Sequence, residues 1–189
     1  MVKTAVIIVT GAPASGKTTL ATELSERFKI PLIRKDAIKE LLFESLGWSD
    51  REWSRRVGAA TYELMHLFAE TELSCGRPIM LESNFKTNID TEVFRAWKQK
   101  YGCRYFQVFC HAPVEVLRER FEERLRSGGR HPGHVDQENL GLFDRKDFAE
   151  VFAPLLIDGG LVKYDSTVEP AEQIEAIAKR LEEFLASSI

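Results

Sequence analysis

The stretch that most limits what this chain can become runs from Ala5 to Thr18. Ala5-Val6-Ile7-Ile8-Val9 is apolar at every position, the pattern of a strand covered on both faces in a parallel sheet. It leads at once into Gly11-Ala12-Pro13-Ala14-Ser15-Gly16-Lys17-Thr18, which fills every fixed position of G-x-x-x-x-G-K-[ST]. Behind it, Leu20, Ala21, Leu24 and Phe28 recur at helical steps. Strand, glycine loop and helix in that order serve a physical purpose. Glycines at both ends let the backbone turn its N–H groups inward around phosphate oxygens, and the positive end of the following helix adds to the field. Gly11 through Thr19 is therefore the expected nucleotide cradle, with Lys17 reaching the β and γ phosphates and Thr18 placing its hydroxyl on Mg²⁺. Mg²⁺ is thus an implied cofactor, and because neither an N-K-x-D guanine reader nor a D-x-x-G switch occurs anywhere in the chain, a GTPase is disfavoured.

The rest of the chain alternates in the same way. Apolar runs at Pro31–Arg34, Pro78–Glu82, Arg104–Cys110 and Leu161–Tyr164 read as further strands. Between them, helical spacing covers Thr18–Phe28, Asp36–Leu46, Ser49–Cys75, Asp90–Tyr101 and Pro113–Arg126, and Pro170–Leu185 closes the chain. The third of these opens on Ser49-Asp50-Arg51-Glu52, a capping-box pattern. Such alternation predicts an α/β fold, a five-stranded parallel sheet with helices on both faces. The one break is Ser127–Asn139, rich in glycine and histidine, which reads as a mobile loop and, with the helix end before it, as a lid over about residues 124–139.

Composition sets outer limits. At 189 residues the chain has the length of one domain, 1–189, and 44% hydrophobic content supplies its core. Lys and Arg number 26 against 29 Asp and Glu, a formal charge of −3. No global basic field exists to hold a long phosphate backbone, so nucleic acid is open only through a local patch and is not favoured. Cys75, Cys103 and Cys110 form no CxxC pair, which suits a reducing cytoplasm and packing roles. The apolar run near the N-terminus is too short for a signal segment, and no window is long enough for a membrane helix. The expectation is a soluble cytoplasmic protein whose oligomeric state the sequence does not address.

The stretches VTGAPASGKTTLATEL, IRKDAIKELL, IMLESNF and ERFEERLRSGGRHPGH together resemble the AAA-type phosphate-loop kinases grouped with polynucleotide kinase, zeta toxin and chloramphenicol phosphotransferase. The resemblance spans about Val6 to His134, and its loop motif is far more specific than its other motifs. It implies a nucleoside-kinase-like fold and transfer of the γ-phosphate of MgATP to a hydroxyl. It also implies that Asp36, just after the second strand, takes the proton of the acceptor, a carboxylate being what an alcohol needs to become a nucleophile. Capping of the following helix is an equally ordinary use of Asp.

Glu82 stands where such proteins keep an acidic residue near Mg²⁺, although glutamate replaces the commoner aspartate. Lys39 lies one turn beyond Asp36, where relatives carry an arginine. Lysine lacks the bidentate fork, so the substrate of those relatives does not transfer. Arg34, Lys39 and Asn84 are the candidate substrate contacts. In the resembled family, arginines at the end of the fifth helix and in the lid close over the nucleotide; Arg124 and Arg130 match best and Arg120 less well, while Arg118 fits a solvated helix face. His131 and His134 lack partnering cysteines and read as lid residues or substrate contacts, not zinc ligands. Asp165-Ser166-Thr167 reads as an adenine-pocket wall or as a turn. The aromatic stripe within Trp48–Phe68 reads mainly as core. The leading expectation is a kinase acting on a small-molecule hydroxyl acceptor. The alternatives are a polynucleotide 5′-hydroxyl kinase and a nucleotide-dependent switch without acceptor.

Overall fold

In a computed structural model that describes residues 4–187, five strands form one sheet in the order β2-β3-β1-β4-β5, every neighbouring pair parallel. The strands are β1 (Ala5–Gly11), β2 (Leu32–Arg34), β3 (Ile79–Glu82), β4 (Arg104–His111) and β5 (Gly160–Asp165). The helices are α1 (Lys17–Phe28), α2 (Lys35–Leu46), α3 (Arg51–Ser74), α4 (Thr87–Tyr101), α5 (Val114–Arg126), the single turn α6 (Phe148–Val151) and α7 (Pro170–Ala186). The expected five-stranded parallel α/β architecture is the observed one. Residues 1–3, 188 and 189 lie outside the described residues, so the expectations that involve the first three fall outside them too.

β1 shows why its sequence has no polar alternation. Ala5, Ile7 and Val9 pack on one face of the sheet with α1 residues Leu20 and Leu24 and α7 residues Ile174, Ile177 and Leu181. Val6 and Ile8 pack on the other with Met65 and Ala69 of α3 and Phe94 and Trp97 of α4. Each side chain from Ala5 to Val9 is thus in a core whichever way it points, which removes roughly 1.5–3 kcal/mol of exposure cost per large residue. A third apolar cluster joins Ala12 of the glycine loop to Leu117 and Phe121 of α5, Phe143 and Phe152. It fastens the lid-bearing helix to the loop.

Element ends differ from the sequence reading in instructive places. The capping box at Ser49 is not used; Asp50 caps α3, its carboxylate accepting from Trp53 N–H at 2.9 Å. Asp36 is not a cap either. Arg34 holds the cap position of α2, with no side-chain cap bond, and Asp36 lies inside the first turn. The lid is also not structureless, because Pro132–His134 and Asp136–Asp144 form 3₁₀ turns, and His134 and Asp136 are buried. Among the described residues no helix is long and apolar enough to cross a membrane.

Candidate active site

The site lies at the carboxyl ends of the central strands. Gly11 ends β1 with φ near 143°, and a Cβ there would stand 2.1 Å from the carbonyl oxygen of Cys110 on β4. Only glycine fits that approach. Gly16, at φ 82°, turns the chain into α1, whose first helical bond runs from Leu20 N–H to the Gly16 carbonyl at 3.2 Å. Of the N–H groups before it, that of Ser15 donates to the Ala12 carbonyl at 3.4 Å, and Pro13 through Thr19 line a cleft of about 300 Å³. Ser15 is fully buried and its Oγ has no hydrogen-bond partner.

Lys17 is buried and donates to the carbonyl of Ala12 at 2.7 Å. Burial pushes its pKa down, opposed chiefly by the charge of Glu82. Glu82 in turn is buried and pushed up by burial, opposed chiefly by Lys17. Thr18 donates from Oγ1 to Glu82 Oε2 at 3.2 Å. A hydroxyl and a carboxylate side by side, with the carboxylate incompletely compensated by Lys17, form an oxygen donor set suited to a hard divalent cation. The pairing arises from register: Glu82 ends β3 opposite Val9 of β1 and Arg34 of β2.

Asp36 also lines this cleft, with Asn84, Arg120, Arg124 and Arg130. Its Oδ1 accepts from Lys35 Nζ at 3.0 Å and its Oδ2 from Arg130 Nη2 at 2.5 Å. Burial acts to raise its pKa, but Lys35 and then Arg130 outweigh burial and hold the carboxyl well below the usual range. Arg130 extends the contact. It also meets His134 Nδ1 at 3.0 Å and pairs through Nη1 with Asp136 Oδ2 at 3.1 Å. The lid itself is seated on α2: His131 stacks on Phe43 with ring centroids 5.2 Å apart, and His134 Nε2 meets Glu40 Oε1 at 2.9 Å.

Arg124 reaches the cleft over the Phe121 ring, 5.1 Å from its centroid, and its buried Nη2 has no hydrogen-bond partner; Asp136 Oδ2 lies 3.9 Å away. Arg120 is differently used. Its guanidinium donates to Ser166 Oγ at 2.7 Å and to the Ser166 carbonyl at 2.8 Å, which ties α5 to the turn after β5. Lys39 and Asn84 line a second cavity of about 140 Å³ beside the first. Arg34 is not brought to either cavity; it lies exposed at the end of β2, and Asp36 takes Lys35 and Arg130 as partners in its place. The aromatic stripe divides. Met65 is core, whereas Trp48 and Phe68 are about half exposed, at 51% and 49%.

Lys35, Asp136 and His134 complete the site; His134 was expected in the lid, whereas sequence reasoning gave Lys35 and Asp136 no role. Lys35 could have been suspected from its place beside Asp36. Asp136 carries no such signal, being one acid in a polar segment.

A parallel sheet in this order, with a glycine loop opening α1 and Arg120, Arg124 and Arg130 lining the cleft beside it, is the architecture of P-loop nucleotide-binding proteins of the small-kinase class. The chain belongs to the AAA domain family, whose model matches residues 6–146. It is similar over 97% of its length, and 98% of the other chain, to a protein from Chloroflexus aurantiacus that carries a provisional kinase assignment, at 36% identity and a TM-score of 0.85. The fold also recurs in the APS kinase CysC of Mycobacterium tuberculosis, determined with AMPPNP and APS, at 18% identity, 95% and 98% coverage and a TM-score of 0.58. A gluconokinase from Sinorhizobium meliloti 1021 shares it at 20% identity, 98% and 97% coverage and a TM-score of 0.52. No curated protein matches the sequence.

Proposed function

We propose that the protein transfers the γ-phosphate of ATP, bound with Mg²⁺, to a hydroxyl of a small-molecule acceptor, with Asp36 as the base. The observation that carries this reading is the position of Asp36 on the boundary of two cavities. Asp36, Asn84 and Arg130 line both the cleft of the glycine loop and the smaller cavity next to it. A carboxylate between a phosphate cradle and a polar chamber can hold a hydroxyl toward the one from the other. A switch protein that only hydrolyses nucleotide has no use for the second chamber.

In this reading the loop N–H groups, the unpartnered Ser15 hydroxyl and Lys17 bind the phosphates. Thr18 and Glu82 would hold Mg²⁺, which would neutralise phosphate charge there. Arg124, with a buried donor that meets no acceptor, adds positive charge where negative charge develops and helps exclude water. Arg130 closes the lid. Its ion pair with Asp36 ties lid position to the acceptor side of the site. The family resemblance and the relative at 36% identity favour phosphoryl transfer. The acidic overall charge and the small second cavity weigh against a polynucleotide acceptor.

The test is ATP-dependent phosphorylation across a set of hydroxyl compounds, with Asp36→Asn and Lys17→Ala as controls. Asp36→Asn is expected to lose transfer by about 10²-fold or more while nucleotide affinity changes little, and Lys17→Ala to lose nucleotide binding or turnover outright. Wild-type turnover by Asp36→Asn removes the base, and full activity of Lys17→Ala removes the reading.

A further inference from the structure

Within the second cavity, Lys39 is in an electrostatic position that the protein leaves incomplete. The side chain is buried, and its ammonium makes one hydrogen bond, to the neutral Ser54 Oγ at 2.9 Å. No carboxylate pairs with it among the described residues. Its other neighbours are the Phe43 ring, 5.2 Å from Nζ to the centroid, and the α3 backbone at Gly58, where an added Cβ would lie 3.6 Å from Nζ. An ammonium carries three donors, so two are without an assigned acceptor in a place where an unpaired charge costs several kcal/mol. Burial, followed by the like charge of Lys35, lowers its pKa to about 8, consistent with a cation short of a counter-ion.

The rest of the wall says what size and charge would complete it. Lys35, Lys39 and Arg130 face Asp36 and Asp136, three cations against two carboxylates. His134 is neutral, its pKa held at about 3 by burial and then by Arg130. One positive charge is left over. A carboxylate balances it, whereas a phosphate monoester, at about −1.5 to −2 near neutral pH, overshoots. The volume, about 140 Å³, corresponds to about five waters at the liquid share of ~30 Å³ each. It falls short of the ~300–1,000 Å³ of sites for larger ligands.

We propose that the phosphate acceptor is a compact hydroxy acid, its carboxylate seated on Lys39 and its hydroxyl against Asp36. The assignment rests on the phosphoryl-transfer reading above and adds the acceptor's chemical class. The transfer balances: the acceptor oxygen bonds to the γ-phosphorus, the bond from that phosphorus to the β,γ-bridging oxygen breaks with ADP leaving, and the hydroxyl proton goes to Asp36.

The test uses matched probes. Glycerate and threonate, their neutral counterparts glycerol and erythritol, glycerol 3-phosphate and uridine are titrated calorimetrically into wild type and Lys39→Met, with Mg²⁺ and AMPPNP present. The hydroxy acids are expected to bind wild type and to lose about 10- to 100-fold in Lys39→Met, the range of a hydrogen bond to a charged group. Neutral alcohols and uridine are expected to bind neither protein. Lys39→Arg, which keeps the charge, should retain acid binding and shows that any loss is not misfolding. Acids that bind no better than the alcohols, or equally well to Lys39→Met, overturn the proposal, as does tighter binding of glycerol 3-phosphate. Replacing AMPPNP by ATP separates the two readings. Preferential phosphorylation of a neutral alcohol or uridine keeps phosphoryl transfer and overturns the hydroxy acid. Acid binding that depends on Lys39 but gives no phosphoester counts against phosphoryl transfer and leaves the carboxylate seat standing.

Discussion

Acidification should open the lid before it unfolds the protein, and the reason is His134. Its side chain is 3% exposed. Arg130 donates to Nδ1, so the ring proton sits on Nε2 and is donated to Glu40. Protonating Nδ1 would break the Arg130 bond and set one cation against another. Burial and then Arg130, against the opposing charge of Asp36, accordingly hold its pKa at about 3, with Lys39 and Lys35 adding to the depression. The sign follows from linkage. A histidine whose pKa is lower in the closed state binds its proton more readily in the open state, so closure is fully stable above pH ~6.5 and weakens as pH falls toward 3. At ~1.36 kcal/mol per unit, closure should lose about 2 kcal/mol between pH 7 and pH 5, a roughly 30-fold increase in the open population. The Glu40 carboxylate, 40% exposed, trims this figure. Amide hydrogen exchange of residues 127–139 measures the opening directly, with rates corrected for the intrinsic pH dependence. His134→Gln, which cannot titrate, should remove the pH dependence. Lid protection that is flat from pH 7 to pH 5, or that falls equally in His134→Gln, would refute the reasoning.

Gly133→Ala places a Cβ 2.7 to 2.9 Å from three atoms of the Phe43 ring, so the lid or the ring must move; a loss of about 1–3 kcal/mol in lid stability is expected, and unchanged exchange in the lid would contradict the packing. Lys39, with its pKa lowered to about 8, penalises the folded state below that pH and releases the penalty as pH rises toward the ordinary lysine value. Denaturant titrations should therefore show stability rising by up to about 3 kcal/mol between pH 8 and 10.5 in wild type but not in Lys39→Met. Arg130→Met should raise the Asp36 pKa toward the usual range, though not fully, because Lys35 remains bound to Oδ1. A carboxyl carbon NMR titration reads this, and an unmoved Asp36 would show that the lid contact does not hold its charge.

The parts of the site that a few consecutive residues build could be read from the sequence. Gly11 to Thr18 must form its loop because the backbone conformation, not a distant partner, makes it work. The uniformly apolar β1 announced a strand covered on both sides, and the alternation that follows gave the parallel sheet. Asp36 and Glu82 were placed by strand ends, which the apolar runs mark. What holds residues 127–139 in place was not legible. Asp36 and Arg130 lie 94 positions apart, as do Glu40 and His134, and no local pattern specifies such pairs. Ser127–Asn139 looked structureless because its order comes from Phe43, Glu40 and Asp36 on another element and not from its own periodicity. The burial of Lys39 was not legible either, since nothing near it in sequence reveals that Ser54 and Gly58 of α3 lie against it.

The depressed pKa of Asp36 is the main objection to its proposed role as the base, since a carboxylate that holds protons so weakly removes them poorly. Phosphoryl transfer relaxes this demand. In the loose transition state of most analyses the bond to the attacking oxygen is little formed, so the hydroxyl becomes strongly acidic only late. Early on, the carboxylate has to accept a hydrogen bond and aim the oxygen, which a fully ionised group does well. Late in the reaction the partners matter. Arg130 bound to Asp36 keeps it ionised, and Arg130 drawn instead toward the transferring phosphate lets its proton affinity rise. A guanidinium placed within reach of both can therefore keep Asp36 charged while the acceptor is oriented and release it as the proton arrives. Under the proposed function, that timing would be a reason for Arg130 to rest on Asp36 and not simply on the nucleotide.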